Sequence, residues 1–213
     1  AVGVDVNGAT AEDLEKISCF MASKGTTSWL CSVLTDTQEQ TEWCIEQFKA
    51  HKVMEQNGAE LAGIHLEGPF LAKEYKGAMP EHLLKKNDIP LVKRYQELAE
   101  GNIRYITMPT ETDEDFALTR YCADNGVVVS IGHSAATYEQ ACMAFANGAQ
   151  CLTHVYNGMT PFNHRANGLV GAAFRLRTMY GEVICDGNHS TTAALNMFFM
   201  SKGPDYSIMV SDA

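Results

Sequence analysis

The sequence predicts an α/β fold with parallel strands, a (β/α)8 barrel of which about seven strands are present. Three observations carry that expectation. Short apolar runs alternate with longer amphipathic stretches, the pattern of strand and helix repeats with a parallel sheet. The runs are rich in Val, Ile, Leu and Cys without clean polar alternation, as in strands buried on both faces. Polar, chemically capable residues cluster just after most of these runs. Barrel active sites gather at the C-terminal face of the strands, whereas a doubly wound open sheet places its chemistry at one switch point. Neither a GxGxxG nor a P-loop occurs. A complete barrel takes about 250 residues and this chain has 213, so one strand is expected to be missing.

Taken in order, the expected strands are 28–34, 61–66, 103–108, 127–131, 151–155, 182–185 and 206–210. Helix signals lie between them. Thr10 precedes a helix over 11–23, with Gly25 after it, and Thr37 precedes one over 38–51. A helix over 113–124 is followed by Gly126, and one over 190–201 by Gly203. Thr137 with Gln140 three residues on is a capping-box signature, and Gly148 closes that helix. The longest strand-free stretch, 68–100, carries Lys73, Glu74, Lys76, Lys85 and Lys86. It reads as a long loop plus a helix over the barrel mouth. No linker, internal repeat or low-complexity tract interrupts the pattern, so residues 1–213 are expected to be a single, partial catalytic barrel domain.

The 46% apolar content allows a real core, and 16 basic against 26 acidic residues give a net charge of −10. Such a chain is a poor binder of nucleic acid or anionic membrane. It holds no run of 18 apolar residues. Seven cysteines stand at 19, 31, 44, 122, 142, 151 and 185 without a CxxC pair. Their odd number and the apolar surroundings of Cys31, Cys151 and Cys185 suit free thiols in a reducing, cytoplasmic setting. The start at Ala1-Val-Gly-Val-Asp5 and the end at Ser211-Asp-Ala213 read as cut ends.

The chemistry lies after the strands. Glu67 stands in Gly63-Ile-His-Leu-Glu-Gly-Pro-Phe70, His133 in Val129-Ser-Ile-Gly-His133, and His154 in Cys151-Leu-Thr-His-Val-Tyr-Asn157. Singly, each has an ordinary explanation: a loop-capping carboxylate, a satisfied core imidazole. Together, at equivalent strand ends on one rim of a barrel, a carboxylate and two imidazoles suit a catalytic divalent metal with a position open for water. His65 shares the parity of Glu67 and reads as a core or supporting group. Asp212 follows the last run and is the natural base for that water. Asp186 and His189 open the loop after another strand. Arg165, in the loop after His154, suits a bidentate anion such as phosphate as well as it suits a surface ion pair.

Five segments, His65-Leu-Glu-Gly-Pro-Phe70, Gly132-His-Ser134, Thr153-His-Val-Tyr-Asn157, Asp186-Gly-Asn-His189 and Ser211-Asp-Ala213, together resemble N-acetylglucosamine-6-phosphate deacetylase of the amidohydrolase superfamily. The motifs come in the family's order and span essentially the whole chain. The resemblance implies a metal-dependent (β/α)8 barrel with a small β-sandwich built from both chain ends. It implies Glu67, His133 and His154 as ligands of one divalent metal ion, zinc or iron, and Asp212 as general acid/base. It places Ala78, Asn157 and Gly158 at substrate-contacting positions, Arg165 at the phosphate and His189 at the bound sugar phosphate. The implied partner is a small sugar phosphate, with a homodimer in the full-length form and neither nucleic acid nor membrane.

Three departures stand out. The barrel strand expected before Ala1, which in many relatives carries a His-x-His pair for a second metal, is absent with the sandwich segments, so the chain reads as a fragment. Met79, in Lys76-Gly-Ala-Met-Pro80, stands where relatives often have His. Met108-Pro-Thr-Glu111 replaces a Met-Ala-Pro-Glu pattern, with Glu111 keeping its place. The alternatives are another amidohydrolase reaction, deamination or cyclic-amide hydrolysis, and an inactive fragment that binds metal or sugar phosphate without turnover.

Overall fold

The computed structural model of the chain describes residues 3–212. Its elements run α1 (Ala11–Ser23), β1 (Ser28–Leu34), α2 (Gln38–Lys52), β2 (Glu60–Glu67), α3 (Ile89–Leu98), β3 (Ile103–Met108) and α4 (Ala117–Asp124). There follow β4 (Val128–Ile131), α5 (Tyr138–Ala146), β5 (Cys151–Leu152), α6 (Gly168–Arg175), β6 (Tyr180–Ile184), α7 (Thr192–Lys202) and β7 (Ser207–Val210). Strand order in the sheet is chain order, β1 to β7. The pairs β1/β2, β4/β5, β5/β6 and β6/β7 are parallel. This is the α/β repeat of an incomplete barrel, as the sequence predicts.

One compact unit comprises the described residues up to Pro69 together with Asp88–Ile106. Its first helix starts at a capping box in which Thr10 accepts from the Asp13 amide and Asp13 reaches back to the Thr10 amide. The box has Asp where Glu or Gln is usual. Thr37 caps α2 and Asp88 caps α3, whose first turn contains Pro90, where a missing N–H costs nothing. Ile45, Phe48, Leu61, Ile64 and Tyr95 are at most 1% exposed. Each such side chain contributes about 1.5–3 kcal/mol by leaving water, so these carry the unit. β1 and β2 pair from Ser28↔Glu60 to Leu34↔Glu67, which sets Glu67 at a strand end. Gly58 permits the approach to β2, since a Cβ there would lie 2.3 Å from the Ser18 carbonyl carbon. The helix expected within 68–100 is α3, tied to α2 by Arg94 Nε and Nη2 donating to Glu42 at 2.6 and 3.0 Å. His65 is half-buried: its Nδ1 is 2.9 Å from Ser32 Oγ, and the ring stands edge-on to Tyr105 at 4.9 Å.

The second unit comprises Phe70–Asn87 and the described residues from Thr107 onward. Thr137 and Gln140 form the expected capping box of α5. The helix expected from 113 starts at Ala117 instead. The Asp113 carboxylate accepts from the amides of Leu118 and Thr119, so the intervening residues loop out, with Asp115 and Phe116 at positive φ. β5 has two residues rather than the expected five, because His154 and Tyr156 at φ 30° and 84° turn the chain away from the ladder. A buried hydroxyl chain links Thr107 to Thr153 at 2.9 Å and Thr153 to Ser130 at 2.6 Å, binding the ends of β3, β4 and β5. All seven cysteines are free; Cys185 is exposed rather than packed in the apolar run beside it.

Candidate metal centre

His133 follows β4 after Gly132, a position where a Cβ would lie 2.7 Å from Thr153 Cβ and 3.0 Å from Thr107 Cγ2. The backbone then turns left-handed, φ 47° at His133, and the imidazole is 6% exposed. Its Nδ1 is 2.7 Å from the Tyr75 carbonyl. His154 is 5% exposed, with Nδ1 3.0 Å from the Asn157 carbonyl. A carbonyl oxygen only accepts, so each Nδ1 carries the proton and each Nε2 is left with its lone pair. Those two Nε2 atoms face each other at 3.1 Å, the rings edge to face. Two lone pairs held that close repel unless a proton or a cation lies between them. Backbone carbonyls that fix the Nδ1 tautomer are a usual support for metal-ligating histidines.

Glu67 closes β2, is 8% exposed, and has its own carbonyl bonded by Thr35 Oγ1 at 3.0 Å. Among the described residues, Glu67, His133 and His154 are the ligand-type side chains that could hold a metal ion. A carboxylate and two imidazoles are a donor set that suits a divalent metal ion.

The chain matches N-acetylglucosamine-6-phosphate deacetylases over 99% of its length. The enzyme of that name from Bacillus subtilis is 34% identical, with 54% of its own length matched. The human enzyme of that name is also 34% identical over 99% of this chain and 54% of its own. The N-acetylgalactosamine-6-phosphate deacetylase of Escherichia coli is 31% identical over 92% of the chain. Among solved structures, the N-acetylglucosamine-6-phosphate deacetylase of Mycobacterium smegmatis superposes with a TM-score of 0.90 at 28% identity, covering 99% of this chain and 55% of that one. The Pasteurella multocida enzyme gives 0.88 at 30% over 99% and 55%. No family model matches. The chain therefore spans about half the length of the curated relatives it matches.

The other residues singled out in the sequence divide into two groups. Asn157 and Gly158 sit against the imidazoles: Asn157 supplies the carbonyl to His154, and a Cβ on Gly158 would lie 3.3 Å from His133 Nδ1. Asn157 Nδ2 is buried without a hydrogen-bond partner. Ala78 is exposed and follows Gly77, where a Cβ would lie 3.4 Å from the His133 ring. Its loop is fastened by Lys76 Nζ donating to the Met79 carbonyl at 3.0 Å. Arg165, His189 and Asp212 are exposed. Arg165 lies in a turn where its amide donates to Asn163 Oδ1 at 2.9 Å. His189 Nδ1 lies 2.8 Å from Asp186 Oδ2, and the backbone amides of His189 and Asn188, with that imidazole behind them, hold the Asp186 carboxyl well below the usual range. Asp212 follows β7 at φ 54° and is outside the three-residue cluster.

Sequence reasoning missed the part played by Tyr75, whose carbonyl aims His133. A backbone group leaves no residue-type signal. No helix in the described residues is long and apolar enough to cross a membrane.

Proposed function

We propose that the chain is the larger part of a barrel domain that hydrolyses the acetamide of N-acetylglucosamine 6-phosphate, giving glucosamine 6-phosphate and acetate. The observation that carries this reading is the pair of converging Nε2 atoms of His133 and His154, grouped with Glu67, in a chain that aligns throughout with deacetylases of that specificity. Glu67, His133 and His154 would hold one divalent ion, zinc or iron. Such an ion lowers the pKa of a water and polarises an amide carbonyl. Asp212 takes the proton of the attacking water and delivers one to the departing amine, which must leave protonated. Arg165 grips the phosphate, His189 steadies the sugar phosphate, and Asn157, Gly158 and Ala78 line the substrate. The buried, unpartnered Asn157 amide group is a donor available for a substrate oxygen. Residues 1–213 would act within one catalytic domain of a cytoplasmic homodimer, with no nucleic-acid or membrane partner.

The test follows acetate release from N-acetylglucosamine 6-phosphate, its galactosamine epimer and unphosphorylated N-acetylglucosamine. The first should be preferred. Arg165→Ala should raise KM for the phosphorylated sugar far more than for the free sugar; equal effects on both would make Arg165 structural. In a full-length version of the enzyme, Asp212→Asn should lower kcat by at least about a hundredfold while bound metal stays near wild type; the 213-residue chain by itself should show weak or no turnover. Metal lost together with activity would make Asp212 a ligand, and normal turnover would remove it from the reaction.

A further inference from the structure

We propose that Glu111 is a positioning residue for His133, and that it sets the site's affinity for a divalent metal without touching the ion. The proposal rests on the metal-site reading of His133 above. Both Glu111 carboxylate oxygens are committed to the two residues that follow His133. Oε2 accepts from Ser134 Oγ at 2.5 Å and Oε1 from the Ala135 amide at 2.6 Å. Hydrogen bonds to a carboxylate at these lengths belong to the strong, charge-assisted class. Ser134 Oγ in turn accepts from the Ala136 amide at 3.2 Å. Ser134 and Ala136 are each 0% exposed, while Glu111 and Ala135 are half-buried, so the Ser134 hydroxyl is the end of this network shut off from water.

What Glu111 fastens is a strained turn. His133 sits at φ 47°, a region that costs an ordinary residue roughly 1–2 kcal/mol. Such a conformation persists only where its surroundings over-determine it. The His133 carbonyl accepts from the Ala72 amide at 2.8 Å, and the Ser134 amide donates to the Gly158 carbonyl at 3.1 Å. Those bonds hold the turn from two sides. Glu111 holds it from a third, at the first residues after His133. The imidazole must present Nε2 to the same point as His154 Nε2, 3.1 Å away. A small rotation of the 133–135 backbone would swing it off that point. Glu111 stands outside the three-residue cluster, so its effect runs through the backbone of the turn.

The experiment titrates the purified 213-residue chain with Co2+, reading visible absorption and isothermal heat, with unfolding of the metal-free chain followed in parallel. Supports around a ligand are typically worth 10–100-fold in metal affinity. Glu111→Ala should therefore weaken Co2+ binding at least about tenfold and alter the absorption band. Glu111→Gln keeps an oxygen for the Ala135 amide and should fall between, which serves if the alanine variant does not fold. Thr137→Ala removes the cap of α5 just downstream and is the stability control; it should lower the unfolding temperature without changing Co2+ affinity. Unchanged Co2+ affinity and spectrum in both Glu111 variants would overturn the proposal alone. Failure of the wild-type chain to bind Co2+ would overturn it together with the metal-site reading.

Discussion

The two imidazoles are aimed by backbone carbonyls, those of Tyr75 and Asn157, and crowded by glycine. Gly158, at φ 57°, lies tight against one ring: a Cβ would lie 3.3 Å from His133 Nδ1 and in ordinary contact, 3.5 Å, with His154 Cε1. Gly158→Ala should cost about 1–2 kcal/mol from the left-handed backbone alone and should also weaken metal binding by pressing on the His133 ring. Denaturant melts and a Co2+ titration check the two effects separately; a purely conformational role would leave the titration unmoved. Glu67→Gln removes the one negative charge of the three-residue set while keeping its shape. Bound metal per chain, measured by elemental analysis, should fall; unchanged stoichiometry would take Glu67 out of the ligand set. The identities of these ligand-type residues were legible because each stands just past an apolar run. What holds them was not. Tyr75 and Glu111 act through atoms brought close by tertiary structure, 58 residues from His133 in one case and 23 from Ser134 in the other.

At the scale of elements, strands were read well because their apolar runs are bounded by Gly, Asn and Asp. α6 was not read at all. Gly168-Leu-Val-Gly-Ala-Ala-Phe-Arg175 has two glycines, and Gly168 through Ala173 are all buried, so neither propensity nor an amphipathic stripe announces a helix. Its C-terminal end is held by Lys202 of α7, whose Nζ donates to the Leu176 carbonyl at 2.6 Å and to the Met179 carbonyl. Lys202 is 5% exposed, and burial pushes its ammonium down to about 8 from the usual 10.5. Lys202→Met keeps the length and loses the donor. Leaving the buried Met179 carbonyl unmet costs about 1–3 kcal/mol, with less for the half-buried Leu176 carbonyl, so the variant should unfold at lower denaturant. The folded state binds fewer protons than the unfolded state between about pH 8 and 10.5. Stability from this group should therefore rise with pH across that window in the wild type and not in Lys202→Met.

Glu42 shows the opposite sign. Arg94 holds its carboxyl at about 2 against an ordinary 4.5. Its contribution is present above about pH 4.5 and is lost as pH falls toward 2. Arg94 is largely in water, which screens the pair and keeps the effect small. Glu42→Gln should therefore melt slightly below wild type at neutral pH and alongside it near pH 2. A gap that persisted at pH 2 would assign the loss to packing between α2 and α3.

For the molecule as a whole, the ligand set predicts that folding and metal binding are linked. The Nε2 atoms of His133 and His154 stand 3.1 Å apart in the folded chain, placed to share one ion, and the unfolded chain does not hold them together. A metal that binds only the folded form adds RT ln(1 + [L]/Kd), about 2.7 kcal/mol at one hundred times Kd. For a chain of this length each kcal/mol moves the melting temperature by roughly 2–4 °C. A hundredfold excess of Co2+ or Zn2+ over Kd should thus raise it by roughly 5–11 °C. A chelator should reverse the rise. His154→Ala should abolish the metal dependence. The same shift in wild type and His154→Ala would mean that the stabilising ion binds elsewhere, through exposed carboxylates of this acidic chain, and the Glu67–His133–His154 assignment would fall with it.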